Sequence, residues 1–211
     1  KITADVAPYI TIPTTAGTGA EITFGGGIHP ETNAPALTIR SIHVQPDLAI
    51  CDPEFTMTLP PRLTAATGMD ALTHCVEGFV SNMSNPPCEA IALDGTRRVV
   101  DFIERAVADG SDREARAEMS MAALQGGMAI YMGLGPIHAL SMAFGDSPLH
   151  HGTLVTVAMP AVMRFYNDKL NGNGLERYAE AMKLKADKES GNRIADAVAE
   201  MNTKLGLPST V

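Results

Sequence analysis

The stretch PPRLTAATGMDALTHCVEGF, residues 60–79, decides how the chain is read. Its opening Pro60-Pro61 predicts a helix start, because proline is tolerated in a first turn. The helix is expected to run from Pro61 to about Phe79. Within it Asp70 and His74 stand four apart, which puts both side chains on one face, roughly 5–6 Å from each other. A carboxylate and an imidazole so placed can chelate one divalent cation. Taken alone, such a pair is equally what a surface helix or a satisfied histidine produces.

Composition changes close to the start of this stretch. Residues 1–59 are rich in Thr, Ile, Pro and Gly, with β-like runs at 9–12, 37–39 and 48–51. Residues 60–211 are rich in Ala, Met and Leu, and helical periodicity dominates there. A second helix is expected from Pro86-Pro87 to about Ala108, capped by Asn85. A third opens at Ser111, with Glu114 at capping-box spacing, and runs to about Met132. Shorter helices are expected from His138 to about Phe144 and from near Thr153 towards Phe165. Ile194, Val198, Met201 and Leu205 form an amphipathic stripe. Residues 171–174 read as a turn. The fold class expected is an α/β remnant, residues 1–59, followed by a mostly all-α helical bundle, residues 60–211.

The 211 residues are 45% apolar and 19% charged, as in a globular protein. A net charge of -8 with no basic stripe argues against nucleic acid as a partner. Tryptophan is absent and aromatics are 5%, so base-stacking platforms are not expected either. No apolar run approaches the roughly 20 residues of a membrane span. Cys51, Cys75 and Cys88 are too few and scattered for a disulfide framework or a cysteine-based zinc module. Lack of disulfide signals fits a reducing cytoplasm. The chain opens at Lys1 almost directly into a strand-like run, and reads as part of a longer protein.

Three further segments bear on chemistry. GPIHAL, residues 135–140, sets His138 among glycine and apolar neighbours. LHHG, residues 149–152, adds His150 and His151, so three of the six histidines fall within 138–151. One aspartate with three histidines suits Fe²⁺ or Zn²⁺, which accept mixed nitrogen and oxygen donors. TIPTTAGTGAE, residues 11–21, has glycines that permit close backbone approach and hydroxyls that can donate to phosphate or ribose. It matches neither G-x-G-x-x-G nor a P-loop, and on chemistry alone it reads as a polar turn. Gly25-Gly26-Gly27 reads as a flexible turn, and His29 and His43 as surface residues.

Together IPTTAGTGAE (12–21), DPEFTMTLPPRLTAATGMDALTHCVE (52–77) and LGPIHALSMAFGDSPLHHGTLVTVAMP (134–160) resemble the iron-containing, or group III, alcohol dehydrogenase family. The resemblance covers essentially the whole chain, but only the middle and part of the C-terminal region of a typical member. It implies a fold similar to that of glycerol dehydrogenase and dehydroquinate synthase. Residues 1–59 would end the dinucleotide-binding α/β domain. Residues 60–211 would be most of a helical metal-binding domain, incomplete at its C-terminus. The resemblance also implies four metal ligands, Asp70, His74, His138 and His151, with His150 a neighbour. Thr14, Thr15 and Thr18 would contact the nicotinamide nucleotide. The implied activity is that of a metal-dependent, NAD(P)-linked alcohol dehydrogenase or aldehyde reductase with Fe²⁺ or Zn²⁺. It would act on a small-molecule alcohol or aldehyde, as a homo-oligomer of two or more chains. Alternatives on the same fold are an NAD-using lyase or synthase and a maleylacetate reductase-like relative; another is a non-catalytic fragment. The run TAATGMDALTHCVE and the four intact ligand positions favour the dehydrogenase.

The sequence departs from the family pattern in several places. Met142 stands where a histidine often follows the third ligand by four residues, and it cannot move a proton. Residues 145–151 are one shorter than usual. Residues 34–36 stand about where a lysine often lies near the cofactor. The upstream G-G-G-S pyrophosphate turn has no counterpart here, so these residues alone would hold a dinucleotide poorly. These departures bear on substrate choice, rate and cofactor affinity more than on the fold.

Overall fold

In a computed structural model, the protein is described over residues 2–28, 37–144, 149–170 and 174–211. His29, residues 34–36, most of the shortened 145–151 segment and most of the 171–174 turn lie outside the described residues. Among the described residues four short strands come first: β1 Ile10–Thr11, β2 Gly25–Ile28, β3 Leu37–Arg40 and β4 Leu48–Ala49. Seven α-helices follow among the described residues: α1 Pro61–Phe79, α2 Pro86–Ala108, α3 Arg113–Ala129, α4 Pro136–Ala143, α5 His151–Leu170, α6 Leu175–Ala181 and α7 Ser190–Lys204. The expected change from strands to helices near residue 60 is what the chain shows. β1 pairs with β4 in parallel, Ile10 opposite Leu48, while β2 and β3 form an antiparallel pair.

Some local expectations need correction. Gly25-Gly26-Gly27 is not a turn but most of β2, laddered against Leu37–Arg40. Ladder hydrogen bonds run between backbones, so three exposed glycines can pair without side chains to pack. The cap of α3 is Asp112, whose carboxylate accepts the Ala115 N–H at 3.0 Å; Ser111 turns back to Asp109 instead. His43 is half-buried in a 3₁₀ turn. Helix α5 begins two residues earlier than expected and continues through Pro160 to Leu170. Helix α6 carries too short a pattern to be read from the sequence. The caps at Asn85 and the proline start of α1 hold, with the Asn85 side chain accepting the Cys88 N–H.

Helix α1 is the centre of the bundle. It packs against α2, α3 and α5, and every residue from 64 to 78 is buried. A helix buried on all sides cannot have a polar face directed to water. Its small residues Ala65, Ala66, Gly68, Ala71 and Gly78 let neighbours approach closely, while Met69, Leu72 and Val76 join the core with Ile103, Met159 and Tyr178. No helix among the described residues is long and apolar enough to cross a membrane.

Burial rather than surface pairing should therefore set stability. Leu72→Ala, at a site with 0% exposure, is expected to cost about 2–5 kcal/mol in urea unfolding. Arg164→Ala removes only the exposed pair with Asp196 and should cost less than about 1 kcal/mol.

Candidate metal centre

Three helices deliver the four residues implied as ligands. Asp70 and His74 lie one turn apart on α1, His138 lies in α4, and His151 is the first residue of α5. The placement of His151 depends on Gly152. A methyl group at Gly152 would stand 2.3 Å from the Ala66 carbonyl oxygen, so only glycine lets α5 start this close to α1. Ala66 is one turn before Asp70, and the contact sets His151 over the aspartate. The adjacent His150 is used differently: its Nδ1 accepts the Gly152 N–H at 3.1 Å.

The Oδ1 atom of Asp70 is the focus of the cluster. It lies 3.8 Å from His74 Nε2, 3.5 Å from His138 Nε2 and 3.7 Å from His151 Nε2. A tetrahedral ion with bonds of about 2.0–2.1 Å holds its ligand atoms about 3.3 Å apart, so these separations are slightly wider than such an ion requires. The donor atoms of Asp70, His138 and His151 all lie within 4.8 Å of one another. His74 falls outside that group. It faces Asp70, but its ring stacks on His138 with centroids 4.8 Å apart and planes 9° from parallel. The structure thus gathers three of the four expected ligands and sets the fourth beside them.

Asp70 Oδ1 and His138 Nε2 are buried and have no hydrogen-bond partner, as is His74 Nδ1. Buried polar atoms are normally satisfied. An unpartnered carboxylate oxygen opposite an unpartnered imidazole nitrogen is an arrangement that a cation can complete, so the donor set fits one. Burial opposes ionisation of Asp70, yet the surrounding histidines hold its carboxyl below the usual range. Burial pushes His74 and His151 down towards the neutral form that ligates metals. His138 moves the other way: burial resists its charge, but Asp70 and Glu77 together raise it to about 9. His151 is the open side of the cluster, with its side chain 43% exposed.

Glu77 is a participant that the sequence analysis did not single out. Its Oε2 lies 2.5 Å from His138 Nδ1, and its Oε1 accepts the Ile137 N–H at 2.6 Å. The available signal was spacing: Asp70, His74 and Glu77 fall at i, i+4 and i+7, one face of one helix.

The threonine segment is a loop resting on the same helix. Gly17 lies against Thr67. Thr14 and Thr18 are exposed and Thr15 is half-buried. Thr14 also borders a cleft lined by Phe55, Thr58 and Leu59.

This geometry predicts uptake of about one Zn²⁺ or Fe²⁺ per chain, measured by elemental analysis after anaerobic loading. Asp70→Asn and His138→Ala should each weaken binding by more than about 100-fold, since even outer-shell changes cost 10–100-fold.

Two family models match the chain. The model described as "Fe-containing alcohol dehydrogenase family, C-terminal" matches residues 64–211, and "Iron-containing alcohol dehydrogenase" matches residues 1–53. Among curated relatives, 4-hydroxybutyrate dehydrogenase of Cupriavidus necator is 46% identical, over 99% of this chain and 56% of the relative. NAD-dependent methanol dehydrogenase of Bacillus methanolicus is 34% identical, over 97% and 55%. A sulfoacetaldehyde reductase from Bifidobacterium kashiwanohense, solved in complex with NAD⁺, superposes with a TM-score of 0.88 at 30% identity, over 98% of this chain and 54% of that one. A 1,3-propanediol oxidoreductase gives a TM-score of 0.90 at 33% identity, over 98% and 56%. The chain spans about half the length of these relatives. On the match across residues 64–211, the chain belongs to the iron-containing alcohol dehydrogenase family.

Proposed function

We propose that the chain carries the metal centre of an NAD(P)-linked alcohol dehydrogenase or aldehyde reductase, with Asp70, His74, His138 and His151 holding one Fe²⁺ or Zn²⁺. The observation that carries this reading is Asp70 Oδ1, buried, without a hydrogen bond and faced by three imidazole nitrogens at 3.5–3.8 Å. A cation bound there supplies Lewis acidity, which eases loss of an alcohol proton and polarises a carbonyl in the reverse direction. The nicotinamide supplies hydride chemistry at the neighbouring carbon. The printed names of the relatives, dehydrogenases of 4-hydroxybutyrate and methanol, support small alcohols and aldehydes as the substrate class.

The chain's own residues divide the remaining work. Asp70 stays ionised in a buried setting and anchors the donor set. The exposed edge of His151 is the side from which a substrate oxygen approaches. Thr14, Thr15 and Thr18 present hydroxyls on a loop pressed against α1, and orient the nicotinamide nucleotide towards that side. Met142 lies four residues after His138, is 67% exposed and has no proton to give. Protons therefore leave through water or the cofactor ribose.

Residues 1–59 belong to the C-terminal part of a dinucleotide-binding domain and residues 60–211 to a helical metal-binding domain. Exposed Ile10 and Leu48 on a two-stranded parallel pair support the first assignment, because parallel strands are normally buried on both faces. We place the enzyme in the cytoplasm, as a dimer or larger homo-oligomer.

The test is NADH or NADPH oxidation by metal-loaded protein with a panel of small aldehydes. Aldehyde-dependent consumption that is lost with a chelator supports the reading; product formation with no net change in NADH would point to a lyase or synthase. Thr18→Ala should raise the cofactor KM several-fold and leave metal content unchanged. Met142→His should shift the pH–rate profile, and an unaltered profile would contradict the proposed proton route.

A further inference from the structure

We infer that Glu77 is a positioning residue that fixes the proton of His138 on Nδ1 and so reserves Nε2 for the cation, an inference that rests on the metal reading above. Glu77 is fully enclosed, with a side chain 0% exposed. A carboxylate in such a place must be matched by donors, and the structure supplies two. Oε1 accepts the Ile137 N–H at 2.6 Å, and Oε2 meets His138 Nδ1 at 2.5 Å. A carboxylate offers acceptors only, so the shared hydrogen on the second contact belongs to Nδ1. The opposite nitrogen, Nε2, is the one that faces Asp70 Oδ1 at 3.5 Å and lacks a partner. A histidine that donates from one nitrogen to a carboxylate is set to ligate with the other.

The surroundings are built for this carboxylate. A Cβ added to Gly135 would lie 2.8 Å from Glu77 Oε1 and 3.2 Å from its Cδ. The Gly135 backbone is extended, at φ -117° and ψ -160°, a conformation alanine also adopts. Glycine is therefore required for room rather than for backbone freedom. Gly135, Ile137 and His138 thus form one unit around the Glu77 carboxylate at the start of α4, which explains the first half of the GPIHAL motif.

The inference separates sharply from a packing role. In Glu77→Gln the shape is kept, but the amide has one oxygen and one NH₂. Ile137 N–H needs the oxygen, so the NH₂ turns to His138 Nδ1. A donor there forces the proton to Nε2, the atom needed for the metal. The isosteric variant should therefore be impaired, whereas a space-filling role would be rescued by glutamine.

Two measurements test this. The first is ¹⁵N–¹H imidazole spectroscopy of metal-free protein, with the His138 signals identified by their loss in His138→Ala. Above about pH 9, where the His138 ring is neutral, we expect a protonated, hydrogen-bonded Nδ1 with a bare Nε2 in the native protein, and a bare Nδ1 with a protonated Nε2 in Glu77→Gln. The second is Zn²⁺ titration of the folded variants, checked by circular dichroism. Glu77→Gln should bind 10–100-fold more weakly, and Gly135→Ala, which crowds Glu77 Oε1, should weaken binding in the same direction. Glu77→Gln with Nδ1 still protonated and native Zn²⁺ affinity would overturn the inference. Native protein that binds no cation would instead contradict the metal reading, and the Nδ1 signal would still decide the role of Glu77.

Discussion

The structure turns on one carboxylate oxygen that water does not reach. Asp70 sits on a helix buried on every side, and its Oδ1 makes no hydrogen bond. An ionised carboxylate in such surroundings costs several kcal/mol unless opposite charge or donors compensate. Three imidazole nitrogens surround it, yet none closes to hydrogen-bonding geometry. A divalent ion held there would resolve that conflict, because it would supply the missing charge and take the lone pairs of the histidines at once. The proposed metal site is thus supported by the energetics of burial as well as by residue types.

The bundle is arranged to produce this convergence. Small residues on α1 admit α2, α3 and α5 at close range, and Gly152 brings the start of α5 to within a methyl group's reach of Ala66. α4 is held by the Glu77 carboxylate, which engages both its first turn and His138. Each ligand-bearing element is fixed against α1, so the donor atoms need little reorganisation to meet an ion. The loop bearing Thr14 and Thr18 is pressed onto the same helix through Gly17. One buried helix therefore relates the proposed metal ligands to the segment that we assign to the cofactor.

Much of this was legible in the sequence, and unevenly so for physical reasons. The limits of α1 and α2 could be read because proline and an Asn cap act locally. Asp70 and His74 could be paired because helical spacing is also local. His138 and His151 come from other helices; residue type grouped them with Asp70 as a possible donor set, and the family resemblance implied them as ligands. Spacing does not resolve how His74 stacks on His138 in place of entering the tight donor group. Glu77 lay in plain view at i+7 from Asp70, but a glutamate on a helix usually faces solvent; its burial is a tertiary fact. Gly25-Gly26-Gly27 misled because glycine suggests a turn, whereas pairing with Leu37–Arg40 makes a strand. Ser111 lost the cap position to Asp112, one residue away, where two plausible acceptors compete.

The most direct test is an anomalous-diffraction map of the protein crystallised with Zn²⁺ or Fe²⁺. The account predicts one strong peak about 2.0–2.2 Å from Asp70 Oδ1, His138 Nε2 and His151 Nε2, with the His74 ring turned to complete the set. A map with no peak there, or with Asp70 Oδ1 instead hydrogen-bonded to protonated histidines, would contradict it.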